Sequence, residues 1–377
     1  MAIACHNKAR FGASFCLTTC AATPGEGVFD YARVEGPGDV PPADPRVVDV
    51  AVLDMNHGWP NLGHDSLVHA VQDATCDLIA RLQPSGLRVR ALSYDVRRRH
   101  MVPEPPGGRF ALYLGTGGPG HIDPHRNDGR AAGTQGIVED AGWEAPLFAL
   151  FDRIQAAPDA ALVAVCHTFG VMCRWSGVAA PVLRSADKGG KSAGILDNLL
   201  TAEGAAHPWF SRLAEELPDG RRLPVLDHRL YDLIPDPRPL PPGMSVIGHE
   251  TRGPGGPAGD ALTMLEFARD PAGEMPRILA VNHHPEIVDL ARQMLVLQRK
   301  REKGEVTTEW FEERRAVLEA THGDAARDRR LHLTSDYTLL GPLRFHLLRH
   351  VRRRAEALGL DVDVHEDEVL AQTRPAV

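Results

Sequence analysis

The residues of this chain best suited to covalent chemistry stand at the ends of short apolar runs. The segment Ala161-Leu-Val-Ala-Val-Cys166-His-Thr-Phe-Gly170 delivers a thiol from a strand-like run straight into a helical pattern. A side chain at such a strand-to-helix turn is pushed out at the carboxyl edge of a sheet, as at a nucleophile elbow. The helix N-terminus there favours negative charge, and so the thiolate. The same segment reads equally well as a core cysteine closing a strand, because free cysteines are often simply buried.

A thiol nucleophile needs a base, and the base needs an orienting group. Ile278-Leu-Ala-Val-Asn-His-His284-Pro-Glu286 offers both, with Pro285 stopping the strand and fixing the geometry between His284 and Glu286. Taken alone, it would better describe a surface His-Glu pair after a strand. A third segment, Leu112-Tyr-Leu-Gly-Thr-Gly117-Gly118-Pro119-Gly120, follows another apolar run. Glycines there expose main-chain N–H groups without side-chain obstruction, as an oxyanion hole requires. An ordinary strand-to-loop turn has the same composition. A phosphate-binding loop is disfavoured, since the Walker lysine and Ser/Thr are missing.

The elements that must position these groups alternate between strand and helix. Val47–Leu53 is a nearly continuous apolar run, as expected of a strand buried on both faces. Ser66–Leu82 has helical periodicity, and further strands are expected at Leu87–Ser93, Arg109–Leu114 and Ala161–Val165, with a Gly-rich loop over 115–140. This rhythm predicts a mostly parallel α/β sheet. Beyond Pro181, short strands at Val225–Asp227, Met244–His249, Leu262–Ala268 and Ile278–Val281 alternate with Pro/Gly-rich loops, as antiparallel additions at a sheet edge would. From Glu286 the chain turns helical and charged. Leu343, Leu347, Val351 and Ala355 give 341–357 one apolar face, while Arg349, Arg352, Arg353 and Arg354 fall mostly off it and read as a solvated surface.

Composition narrows the function classes. The chain has 377 residues, 43% apolar and 24% charged, with a net charge of −8. That balance weighs against a general nucleic-acid binder, and no apolar run approaches the roughly 20 residues that span a bilayer. No membrane partner is therefore expected. The six cysteines are irregularly spaced, unlike a disulfide framework, so a reducing cytoplasm is the expected setting. Lys8 and Arg10 ahead of Phe11–Leu17 and Cys20 are a faint likeness of a lipoprotein signal, with too short an apolar stretch. Residues 1–45, rich in Pro, Gly and Ala, are expected to form a flexible leader and linker.

The order of the three motifs, Gly-Gly-Pro-Gly, then Cys166, then His284-Pro-Glu286, resembles class I glutamine amidotransferases over roughly residues 47–295. Gly190-Lys191-Ser192, Pro208-Trp-Phe210 and Asp227-His228-Arg229 fall where that family has further landmarks. The resemblance implies a flavodoxin-like three-layer α/β/α domain over 46–295, with 296–377 as a helical C-terminal extension. It implies Cys166 as nucleophile, His284 as base and Glu286 as its orienting carboxylate. Main-chain N–H groups of Gly118 and His167 would form the oxyanion hole, with Gly117, Thr168 and His228 as substrate contacts. No cofactor and no metal are implied. The expected partners are a small-molecule amide, glutamine in the family, and a separate synthetase or acceptor subunit.

The elbow departs from the family pattern Gly-x-Cys-x-Gly-x-Gln. Thr168 stands where the second glycine would be and Gly170 where the glutamine would be, and Ala-Val-Cys-His is also similar to the elbow of related Cys-His peptidases and chaperones. Three functions are therefore expected in order: carboxamide hydrolysis or transfer through a cysteine thioester, a γ-glutamyl or isopeptide hydrolase with the same triad, and a catalytically silent binding domain.

Overall fold

The computed structural model describes residues 27–185, 190–253, 255–321 and 324–372. Its strands are β1 (Phe29–Val34), β2 (Val47–Asp54), β3 (Arg88–Asp95), β4 (Phe110–Gly115), β5 (Ala161–Val165), β6 (Ala179–Leu183), β7 (Ser192–Leu200), β8 (Arg222–Arg229), β9 (Tyr231–Pro235), β10 (Ser245–Thr251), β11 (Ala258–Arg269) and β12 (Pro276–Val281). The longer helices are α1 (Leu62–Cys76), α2 (Glu144–Ala156), α3 (His167–Ser176), α4 (Leu290–Glu302), α5 (Thr308–Thr321), α6 (Ala325–Ser335) and α7 (Gly341–Ala357).

The strands join in one 12-stranded sheet of order β1-β3-β2-β4-β5-β12-β11-β10-β7-β8, with β9 and β6 branching from β11. Pairing is parallel from β1 to β12. It is antiparallel beyond β12. The run β3-β2-β4-β5-β12 has the 2-1-3-4-5 order of flavodoxin-like sheets, in which ligands bind outside the carboxyl ends of the strands near the switch point.

Alternation along the strands builds the three layers. Val48, Val50 and Val52 of β2 face one core with Leu112, Leu114, Val163, Val165, Leu279 and Val281. Helix α1 covers it through Leu67 and Val71, and α7 through Leu343, Leu347 and Val351. Each such fully buried aliphatic side chain contributes about 1.5–3 kcal/mol. Ala51 and Leu53 face the opposite core with Phe110, Leu162 and Ala164, covered by Leu147, Phe151 and Ile154 of α2 and Phe169 and Met172 of α3. The C-terminal helix thus docks its apolar face on the sheet itself.

Two expectations are corrected. Regular structure begins before Val47: β1 pairs in parallel with β3, and Arg33 reaches Asp54 at 2.7 Å. The charged Asp30 and Arg33 break its apolar pattern, which hid this edge strand. The expected helix Ser66–Leu82 starts earlier, at Leu62, where the Asn61 side chain accepts from the Gly63 and His64 N–H groups, and α1 ends at Cys76. Cys166 and Cys173 are free thiols. The lipoprotein-like segment lies outside the described residues. Among them, no helix is long and apolar enough to cross a membrane.

Candidate active site

Cys166 leaves β5 with φ 49° and ψ −101°, a conformation a side chain adopts at a cost of about 1–3 kcal/mol unless its surroundings impose it. Its N–H donates to the Val281 carbonyl at 2.8 Å and its carbonyl accepts from Gly170 N–H at 3.1 Å, so both neighbours hold the turn. The thiol sits at the N-cap of α3, the end of a helix that favours an anion.

The strand end of β12 provides the partner. His284 is 8% exposed, its N–H donates to the Leu226 carbonyl, and its Nδ1 lies 2.8 Å from Glu286 Oε1. The ring stands beside the Cys166 sulfur, which acts on its charge. Burial lowers the imidazole pKa, but the Glu286 carboxylate and the Cys166 sulfur more than offset it and hold it well above its ordinary value. Adjacent His283 points the other way, toward Thr338 Oγ1 at 3.2 Å, and burial pushes its pKa down to about 3. The alternating side-chain directions of these two neighbours thus separate a site histidine from a core histidine.

Gly117 closes over the pair: a Cβ there would stand 3.0 Å from His284 Cε1 and 3.8 Å from Cys166 Sγ. Gly118 and His167 line the cleft beside Cys166, and neither main-chain N–H has a hydrogen-bond partner among the described residues. A Cβ on Gly118 would lie 2.2 Å from the Met55 carbonyl oxygen, so glycine is required by close backbone approach. The His167 ring is buried, and its pKa is well below the ordinary value, chiefly from burial and then the Arg97 charge.

His228 lines the cleft, its ring centroid 6.4 Å from that of His284. Burial, then the neighbouring Lys191 and His284, push its pKa down to about 3. Thr168 is a correction. It is fully buried, and its hydroxyl donates to the Thr116 carbonyl at 2.7 Å, tying α3 to the end of β4 instead of facing the cleft. The side chain follows the inward face of the helix. Gly170 is also packed away, against Ile122.

Several site residues escaped the sequence reading. Arg97 and Glu139, whose side chains are both 0% exposed, pair at 2.6 Å, and Arg97 also donates to the Met55 and Pro119 carbonyls. This buried fork clamps the Gly118-Pro119 turn. Asn127 and Trp143 donate to the same carboxylate, so the expected Gly-rich loop over 115–140 is a fastened structure. Gly63, in the first turn of α1, lies against Glu286. Helix α5 forms a wall of the cleft through Trp310, Glu313, Arg314, Val317 and Leu318. The i, i+3, i+4, i+7, i+8 spacing of those five residues was the available signal.

The cleft encloses about 420 Å³ at the carboxyl ends of the parallel strands. Fold and site together define a flavodoxin-like α/β/α protein with a Cys-His-Glu cluster beside a Gly-rich turn. No protein-family model matches the chain, and no curated protein matches it. Among solved structures it is similar to a GMP synthase subunit protein from Thermoplasma acidophilum, at 12% identity, covering 64% of this chain and 85% of that one with a TM-score of 0.36. It is also similar to SMU.1228c, at 16% identity over 77% and 99% with a TM-score of 0.41. A third is the acivicin-bound glutaminase domain of Trypanosoma brucei CTPS, at 12% identity over 63% and 86% with a TM-score of 0.35.

Proposed function

We propose that this chain is a cysteine-dependent amidase of the glutamine amidotransferase type, acting on a carboxamide through a thioester. The observation that carries the reading is Cys166 in a strained elbow, beside a His284 that Glu286 holds at 2.8 Å. The thiolate attacks the carbonyl carbon, and the Gly118 and His167 N–H groups take the developing oxyanion. The amide C–N bond breaks as His284 gives its proton to the leaving nitrogen. His284 then deprotonates water, which hydrolyses the thioester to a carboxylate and the free thiol. An acceptor for released ammonia would sit on a separate synthetase subunit.

The cleft volume favours the second reading within this chemistry, hydrolysis of a larger γ-glutamyl or isopeptide amide. Its 420 Å³ falls in the range of roughly 300–1,000 Å³ typical of pockets that enclose drug-sized ligands. The test is ammonia or amine release by the full chain from glutamine and from larger γ-carboxamides, with iodoacetamide labelling of Cys166 alongside. Turnover that Cys166→Ser abolishes supports the reading. An unreactive Cys166 with no turnover sinks it and leaves a silent binding domain.

A further inference from the structure

The cleft is furnished for more than a primary amide. Its α5 wall comes from the C-terminal segment and projects Trp310, Arg314 and Val317 toward the space in front of Cys166. Trp59, 47% exposed, and Ile122 also line the cleft. The guanidinium of Arg314 lies 5.5 Å from the Trp310 ring centroid, which holds a cation and a flat apolar surface side by side.

Charge in the cleft runs against charge on the chain. The whole molecule carries −8. Yet Lys191 and Arg314 both line the cleft, where burial and then the Arg314 charge lower the Lys191 pKa, and neither has an ion-pair partner among the described residues. Glu313 is the opposing charge on α5. Asp227 is already engaged, with Ser192 Oγ at 2.7 Å and Arg229 at 3.5 Å. Glu313 offsets one of the two cations, so one positive charge in the partly enclosed cleft stays uncompensated and invites an anionic ligand group.

Resting on the amidase reading above, we propose that the substrate is an N-substituted amide carrying a carboxylate on its acyl side and an aromatic group on its amide nitrogen. Lys191 and Arg314 hold the carboxylate, and Trp59 and Trp310 flank the aromatic amine. The thiolate of Cys166 bonds to the acyl carbon, the C–N bond breaks, and the amine leaves with the His284 proton. Water then gives a dicarboxylate and regenerates the thiol.

The experiment compares three substrates on the full chain: glutaryl-p-nitroanilide, butyryl-p-nitroanilide, which lacks the carboxylate, and free glutamine, which lacks the aromatic amine. Glutaryl-p-nitroanilide is expected to be preferred over each by at least tenfold in kcat/KM. Arg314→Gln and Lys191→Gln should each raise its KM about tenfold or more, as loss of a charged hydrogen bond does, and erase the preference over the butyryl analogue. Equal use of the butyryl anilide, better use of glutamine, or a preference that survives both substitutions overturns the substrate class while the amidase reading stands. Failure on all three with Cys166 still alkylated by iodoacetamide also overturns the class alone. Failure together with an inert Cys166 overturns the amidase reading.

Discussion

Gly63 and Glu286 touch so closely that a Cβ on Gly63 would stand 2.5 Å from Glu286 Oε1, the same oxygen that holds His284. The first turn of α1, whose N-terminus favours a carboxylate, therefore backs the orienting group of the candidate triad. Gly63→Ala is expected to push Glu286 off His284 and lower turnover of a cleaved amide about 10²-fold, the scale of a 1 Å misplacement. The fold should persist, as judged by an unchanged circular dichroism spectrum. Full turnover in a folded Gly63→Ala protein would show that Glu286 needs no such backing.

Glu286→Gln tests the charge state of His284. In the native protein the ring is expected to titrate above the ordinary value of about 6.5, because the carboxylate and the sulfur outweigh burial. Without the carboxylate, burial should drive it below 6.5, toward the value of about 3 that His283 shows. The raised folded pKa also stabilises the fold, fully below pH ~6.5, and that stability is lost as pH rises through the folded value. The stability gap between native and Glu286→Gln proteins should thus narrow in alkali. Ring NMR titration and denaturant unfolding across pH measure both effects, and a ring that titrates identically in the two proteins would refute the argument.

Arg97→Met leaves Glu139 charged and unpaired in a fully buried site. A loss of about 3–5 kcal/mol is expected on denaturant unfolding. Adding Glu139→Gln should restore part of it, because the stranded charge is gone. Arg97→Lys should not rescue, since a lysine cannot form the two-toothed contact with the carboxylate while also reaching the Met55 and Pro119 carbonyls. Rescue by lysine would reduce the fork to a simple charge.

Gly118→Ala places a methyl 2.2 Å from the Met55 carbonyl oxygen, a backbone atom that has little room to yield. The turn must move, and its N–H with it. Loss of one oxyanion donor costs ~10²–10³ in turnover. Acyl-enzyme formation in single-turnover assays is the direct readout, and unchanged acylation in a folded variant would remove Gly118 from the oxyanion role.

Removal of residues 1–40 deletes β1 and exposes the β3 edge with its row of unpaired main-chain groups. The Arg33–Asp54 ion pair goes with it. Lower thermal stability and concentration-dependent association are expected, measured by calorimetry and light scattering. A truncated protein as stable and as monodisperse as the full chain would show that β1 merely decorates the edge.

The sequence by itself determined the elements whose neighbours are local. The apolar runs ending at Asp54, Gly115, Val165 and Val281 are strands, since a strand buried on both faces must be apolar throughout. The four-residue stride of Leu343, Leu347 and Val351 is a docked helix for the same kind of reason. Cys166, His284 and Glu286 were legible as candidates because Cys166 directly follows β5 and the other two lie in the short segment after β12, and parallel strands deliver their carboxyl ends to one edge. Tertiary structure alone decided which side chains face that edge. Thr168 turned inward because the first turn of α3 packs on Gly115, and Arg97 became a clamp because a segment 42 residues away brought Glu139 to it. Trp310 and Arg314 reached the cleft because α5 folds back across it, far in sequence from Cys166. Such contacts depend on packing between elements distant in the chain, and spacing along one strand or helix carries no record of them.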